Sequence, residues 1–257
     1  MNKTYAMTGG ATGIGAAIKT QLRELGHTVI VVDIKSADII ADLSTEQGCQ
    51  AAVEEIEQLA PDGLDGFIPC AGLGPAARPA SLLTDVNYFG AKLTTIGLTP
   101  LLAKKKGAIV IISSNSAPMA QHDQDLLKAL AADDRDSASL MLNARDSGIQ
   151  DAYAGSKLAL TRWMRASTPE FAGKGIRINA IAPGITKTPL TDAAKQDENV
   201  AKAMADFSAA VPSGREGTPS EIADAALFLL SEQASFCFGS VFFVDGGSDA
   251  LMRPNDF

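Results

Sequence analysis

Tyr153 and Lys157 are the residues of this chain whose types and spacing offer chemistry most directly. Four apart at the start of a predicted helix, they place a phenol and an ammonium on one helix face. A phenol titrates near pH ~10, and a neighbouring cation stabilises the phenolate, which moves proton exchange towards a working pH. The same spacing also describes an ordinary surface pair, so the two residues need partners. Ser114 follows the apolar run 107–113, where a hydroxyl would face the ligand edge of a parallel sheet and meet a carbonyl that gains negative charge. Ser-Ser-Asn-Ser at 113–116 equally reads as a turn or a helix cap.

A second constellation lies near the N-terminus. Gly9, Gly13 and Gly15 in Thr8-Gly-Gly-Ala-Thr12-Gly-Ile14-Gly follow one strand-like run and open an amphipathic segment. Residues without a Cβ let the backbone turn sharply and approach a pyrophosphate at a helix N-terminus. The spacing departs from GxGxxG, and a glycine-rich turn alone can be simply a sharp strand-to-helix connection. Asp33 ends the next apolar run, where an acidic residue meets ribose hydroxyls in dinucleotide folds. Its carboxylate would repel a 2′-phosphate, so NAD is expected rather than NADP, with Lys35 keeping NADP open. Asp42-Leu43 and Cys70-Ala71-Gly72 also follow strand-like segments and are assigned to the adenine side. Asn87 is polar within an apolar helical stretch, so it requires either a structural hydrogen bond or a bound water.

Elements that would position these residues alternate along the chain. Strands are expected over Thr4–Thr8, Thr28–Asp33, Leu64–Pro69, Gly107–Ser113, Ile176–Ala182 and Ser240–Val244. Helices are expected over Ile14–Leu25, Thr45–Ala60, Leu82–Lys104, Tyr153–Phe171 and Pro219–Leu230. This order predicts one α/β domain over 1–257, a Rossmann-type, doubly wound parallel sheet with ligands beyond its C-terminal strand ends. Two segments interrupt the alternation: a partly helical insertion over about 118–151, and a candidate substrate loop over about 186–212 that holds Leu190, Ala193, Met204 and Phe207. Within the insertion, Asp125–Ala132 and Ser137–Ala144 look helical.

Hydrophobic residues at 46% and charged residues at 20% support a sizeable core. A net charge of −8 works against nucleic acid, and Lys104-Lys105-Lys106 reads as a helix end before Gly107. Cys49, Cys70 and Cys237, with two histidines, suggest neither a disulfide framework nor a metal site. Without a leader-like N-terminus or a membrane-length apolar run, the cytoplasm is expected and a membrane is not.

Taken together, the motifs resemble those of the short-chain dehydrogenase/reductase family over essentially the whole chain. They are TGGATGIG at 8–15, Asp33, Cys70-Ala71-Gly72 in place of Asn-Asn-Ala-Gly, Asn87, Ser114 and Tyr153-x-x-x-Lys157. Asn179-Ala-Ile-Ala-Pro183-Gly184, Thr188 and Val244-Asp245-Gly246-Gly247 complete the set. The resemblance implies Tyr153 as acid/base, Ser114 on the carbonyl, Lys157 lowering the tyrosine pKa and holding the nicotinamide ribose, and Asn87 supporting a water-linked proton relay. It adds Thr12, Ile14, Pro183, Gly184, Ile185 and Thr188 to the NAD contacts, the last two at the carboxamide. Segments 70–75, 86–91, 153–157 and 249–254 are similar to the branch of the family acting on 3α-hydroxysteroids. The implied reaction is NAD-dependent, reversible oxidation of a secondary alcohol to a ketone on a small hydrophobic, cyclic substrate. An aromatic or aliphatic alcohol, a 3-oxoacyl substrate and a non-catalytic NAD-sensing role are the alternatives. The insertion, which separates Ser114 from Tyr153 by more than most members do, implies a homodimer through another surface, with a tetramer as the alternative.

Overall fold

Short runs of β-branched and apolar residues bounded by turn residues make extended chain here, and longer amphipathic segments make the helices between them. The computed structural model describes residues 2–119, 121–144 and 148–256. Within them the strands are β1 (Thr4–Thr8), β2 (Thr28–Asp33), β3 (Ile39–Ile40), β4 (Gly66–Pro69), β5 (Ala108–Ile112), β6 (Arg177–Pro183) and β7 (Val241–Val244). They form one parallel sheet in the order β3-β2-β1-β4-β5-β6-β7. Strand order reverses between β1 and β4, and this switch point opens a crevice at the C-terminal strand ends. Six strands agree with the expected runs to within two residues at each end; β3 was not anticipated, since two residues carry no periodicity.

The central strands are buried on both faces, so alternate residues serve two cores. Tyr5, Met7, Val29, Val31, Val110 and Ile112 pack with Ile18 and Leu22 of α1 (Gly13–Glu24). Ala6, Ile30, Val32, Ile109 and Ile111 pack on the opposite side with Cys49, Val53 and Ile56 of α2 (Glu46–Leu59).

The expected single helix Leu82–Lys104 is instead divided. It runs as α3 (Ser81–Thr84), a π-helical turn at Asp85–Gly90, α4 (Ala91–Gly97) and α5 (Thr99–Lys105). Asn87 lies within the π-turn with its side-chain amide on the backbone of Leu73, and Gly90 admits the carbonyl of Leu43, which an added Cβ would meet at 2.5 Å. Pro100 enters the first turn of α5. Lys106, at φ 52°, is the left-handed cap after α5, a position expected of Gly107.

The insertion carries α6 (Ser116–Met119), α7 (Gln124–Ala131) and α8 (Arg135–Asn143); its residues 120 and 145–147 lie outside the described chain. Asp123 caps α7 and Asp134 caps α8 with their carboxylates. The next helix, α9 (Gly148–Gly173), starts earlier than expected, so Tyr153 lies in its second turn. α9 packs on α7 and α8. The substrate loop holds α10 (Pro189–Gln196) and α11 (Ala201–Ala209). The chain continues through α12 (Pro219–Leu230), which packs on α1 and starts in a Thr218–Glu221 capping box, and α13 (Ser248–Met252). Among the described residues, no helix is long and apolar enough to cross a membrane.

Candidate active site

The C-terminal ends of β1, β2, β4, β5 and β6 surround a crevice of about 460 Å³. At one end lies the glycine turn. Gly9 adopts φ +74°, and a Cβ there would stand 2.5 Å from the Ala71 backbone; one on Gly15 would stand 1.9 Å from the Gly9 carbonyl. These two glycines let three segments close onto the crevice floor. The Gly9 N–H donates to Val32 O at 2.8 Å, and the Ala71 N–H donates to Thr8 Oγ1 at 3.1 Å. Asp33 holds the same turn from the side: its carboxylate accepts from Ala11 N at 3.0 Å and Ile34 N at 2.7 Å. A carboxylate has lone pairs beyond these two, so tying the turn leaves capacity for hydroxyls. Thr12 precedes α1 without a side-chain cap, and Gly13, Ile14 and Gly15 of its first turn line the crevice.

At the other end, α9 is joined to the end of β5. Ser114 hydrogen-bonds the Tyr153 side chain and lies 2.9 Å from Ser116 Oγ. Lys157 Nζ donates to Ile112 O at 2.8 Å, and Ser113 Oγ meets Thr161 Oγ1 at 2.6 Å. Because Thr161 gives its proton to Lys157 O at 2.8 Å, Ser113 is the donor of that pair. Burial raises the Tyr153 pKa above its ordinary value, with the Ser114 hydrogen bond opposing it. Burial lowers Lys157 to about 8, opposed by Cys70 nearby. In this geometry Lys157 does not offset the desolvation of Tyr153, which departs from the expected downward shift: the ammonium is aimed at a backbone carbonyl.

Gly9, Thr12, Gly13, Ile14, Gly15, Asp33, Asp42, Leu43, Ala71, Gly72, Ser114, Tyr153, Lys157, Pro183, Gly184 and Thr188 all line this one crevice. Two expected residues do not. Asn87 is buried behind the wall, where its amide accepts from Leu73 N at 2.8 Å and donates to Leu73 O at 3.0 Å. Ile185 is buried too, its carbonyl accepting from Gly217 N at 2.9 Å. Asn179 pins the turn before β7 through Cys237 O and Ser240 N. Sequence reasoning did not single out Leu73, Leu82 and Val86, which give the crevice an apolar wall; each lies beside a motif already noted. Leu190 joins them, packed over Gly74. Met204 and Phe207 are half-buried, Ala193 is exposed, and no residue of α11 is fully buried.

Residues 3–125 match the family described as short chain dehydrogenase, and residues 138–249 match the one described as enoyl-(acyl carrier protein) reductase. The chain is 40% identical to the 3-alpha-hydroxysteroid dehydrogenase/carbonyl reductase of Comamonas testosteroni, over 98% of each chain. It is 30% identical to the cis-4-hydroxycyclohexanecarboxylate dehydrogenase of Sinomonas cyclohexanicum, over 97% of each. Among solved structures, the 3-alpha-hydroxysteroid dehydrogenase of Pseudomonas sp. B-0831 complexed with NADH superposes with a TM-score of 0.92. That protein is 41% identical, with 99% of this chain and 100% of the other covered. With the glycine turn and the Ser-Tyr-Lys cluster opening into one crevice, the chain belongs to the short-chain dehydrogenase/reductase family.

Proposed function

We propose that this protein is an NAD-dependent oxidoreductase that interconverts a secondary alcohol and a ketone on a hydrophobic cyclic substrate of the 3α-hydroxysteroid kind. The observation that carries the reading is that Ser114, Tyr153 and Lys157 open into the same crevice as the glycine turn and Asp33. The cradle fits the dinucleotide: Gly9 and Gly15 leave no room for a Cβ and open the N-terminus of α1 onto the crevice, and Asp33 offers acceptors to hydroxyls while opposing a 2′-phosphate. Apolar Leu73, Leu82, Val86 and Leu190 suit a ring substrate rather than a sugar.

A bound nicotinamide would supply the hydride acceptor for the alcohol carbon and, when reduced, the hydride donor for the carbonyl carbon. Tyr153 Oη handles the proton: it takes the hydroxyl proton during oxidation and donates it to the ketone oxygen during reduction. Burial favours its neutral phenol, the form that donates a proton in the reductive direction. Ser114 Oγ hydrogen-bonds the substrate oxygen, and Lys157 supplies positive charge and holds the nicotinamide ribose. Asn87 fixes the Leu73 segment against the π-turn and so shapes the wall beside the reacting atoms. Tyr153→Phe tests this: NADH binding should persist while turnover of an alicyclic alcohol collapses, and undiminished turnover would sink the mechanism.

The proposal includes a homodimer. α7 and α8 lie over α9 and so cover a helix face that a partner would need. The outer edge of β7 is left open beside exposed Phe236, Phe238, Phe243, Leu251 and Met252. Sedimentation equilibrium should give a dimer that Phe243→Asp dissociates; a tetramer, or a dimer indifferent to that change, would count against it.

A further inference from the structure

Arg135, at the start of α8, is tied to no part of the proton machinery, yet it reaches across to the nucleotide end of the crevice. Its Nη1 donates to Ser44 O at 2.8 Å and lies 3.4 Å from Asp85 Oδ1, while the guanidinium carbon stands 4.6 Å from the Phe89 ring centre. Asp42, Leu43 and Ser44 form the crevice wall between β3 and α2. Its base is held locally: Asp42 O accepts from Thr45 N at 3.3 Å and Thr45 Oγ1 at 3.1 Å, and Leu43 is buried in the core. Asp42 closes it locally by accepting from Ser44 N and Oγ, Leu43 O receives the Cys49 thiol at 3.5 Å, and Gly90 presses beneath Leu43 O. Arg135 adds a long-range contact at its far end, 91 positions away in sequence.

The arginine is itself held firmly. The turn before α8 places Asp133 at φ +58°, where its carboxylate receives Lys92 Nζ at 2.5 and 2.8 Å. Lys92 is buried beneath Tyr88 and Trp163, with its ammonium 5.5 and 5.9 Å from the two ring centres. Asp134 then caps α8, and Arg135 extends from that fixed start. The charge pair with Asp85 and the contact with Phe89 leave the guanidinium a quarter exposed, so its bond to Ser44 O is charge-assisted and partly shielded from water.

From this geometry we infer that Arg135 is a positioning residue through which the insertion sets the affinity for the adenine half of the cofactor. The inference rests on the dinucleotide reading above. Any freedom left at the Ser44 end of the wall must be removed by the ligand, and that entropy is subtracted from affinity. Arg135 orders that end in advance. It touches neither the reacting carbon nor the nicotinamide end, so its effect falls on cofactor binding and leaves the chemical step alone.

The test compares the full-length wild type with Arg135→Met and Arg135→Lys. Calorimetry with ADP-ribose, which lacks nicotinamide, should show a Kd about tenfold higher in Arg135→Met, as for loss of one charge-assisted hydrogen bond. KM for NAD should rise in parallel, while kcat and the alcohol KM stay within about twofold. Arg135→Lys keeps the charge and should recover part of the affinity. In the unliganded protein, amide exchange at residues 42–45 should quicken in Arg135→Met without a matching change in α9. Asp85→Asn, which leaves the arginine in place, should give a smaller shift of the same sign. Equal ADP-ribose affinity in wild type and Arg135→Met overturns the inference and leaves the dinucleotide reading intact. A fall in kcat without a change in ADP-ribose affinity also overturns it. Failure of the wild type itself to bind ADP-ribose or NAD overturns both.

Discussion

Lys157→Met should make the apoprotein's stability less dependent on alkaline pH, by an amount the structure fixes. Burial lowers the Lys157 pKa from 10.5 to about 8. Between those values the unfolded chain binds a proton that the folded protein does not, so stability rises with pH across that window. Below it the cost of enclosing the ammonium applies in full, about 3 kcal/mol at about 1.36 kcal/mol per pKa unit. From pH 7 to pH 10 the wild type should recover about 2.5 kcal/mol of it, since at pH 10 part of the unfolded population is still protonated. Methionine has a similar length and no charge. It also cannot donate to Ile112 O, so a comparison at one pH would mix two effects; the change between two pH values isolates titration, and other groups cancel. Urea unfolding of both proteins at pH 7 and pH 10 gives the double difference. Parallel pH profiles would refute the claim that this lysine carries its charge at a desolvated site.

Two further substitutions probe the frame around the site. Gly9→Ala should destabilise the fold by about 2–3 kcal/mol and weaken NADH binding more than tenfold, because the left-handed backbone and a 2.5 Å approach to Ala71 act together. Gly26→Ala, at φ +80° with nothing within 4 Å, is the control, expected to cost about 1 kcal/mol with unchanged NADH titration. Thr161→Val leaves the buried Ser113 hydroxyl without its acceptor and should cost about 1–2 kcal/mol, and adding Ser113→Ala should return much of that. Strict additivity in this cycle, measured by urea unfolding, would mean the pair is not coupled.

Legibility in the sequence followed the range of the interactions. β1, β2 and α12 were readable almost residue for residue because apolar runs and a Thr-Pro-Ser-Glu start are local signals. The π-turn was not, because the partners found there, Leu73 for the Asn87 side chain and Leu43 O against Gly90, are distant in sequence. Tyr153, Lys157 and Ser114 could be picked out by type and spacing. The direction of the Tyr153 shift could not: spacing put a cation on the same helix face, whereas the fold aimed that cation at Ile112 O and shut water away from the phenol. Arg135 gave no local signal, for its meaning lies in a carbonyl 91 positions earlier.

The seam between α9 and β5 explains why a Tyr-x-x-x-Lys spacing becomes chemistry here. Positions 153, 157 and 161 fall on successive turns of one helix face and meet, in order, Ser114, the carbonyl of Ile112 and the hydroxyl of Ser113. Only the first contact holds a group for a substrate. The other two lock the helix against rotating or sliding along the strand end, which a single tyrosine–serine hydrogen bond would permit. The middle contact does so with a residue whose buried charge costs the fold about 3 kcal/mol at neutral pH, more than one hydrogen bond to Ile112 O returns. Stability therefore gives no reason for an ammonium at 157. A charge kept in place against its desolvation beside a buried phenol, in the crevice that also holds the glycine turn, fits the proton transfer proposed above.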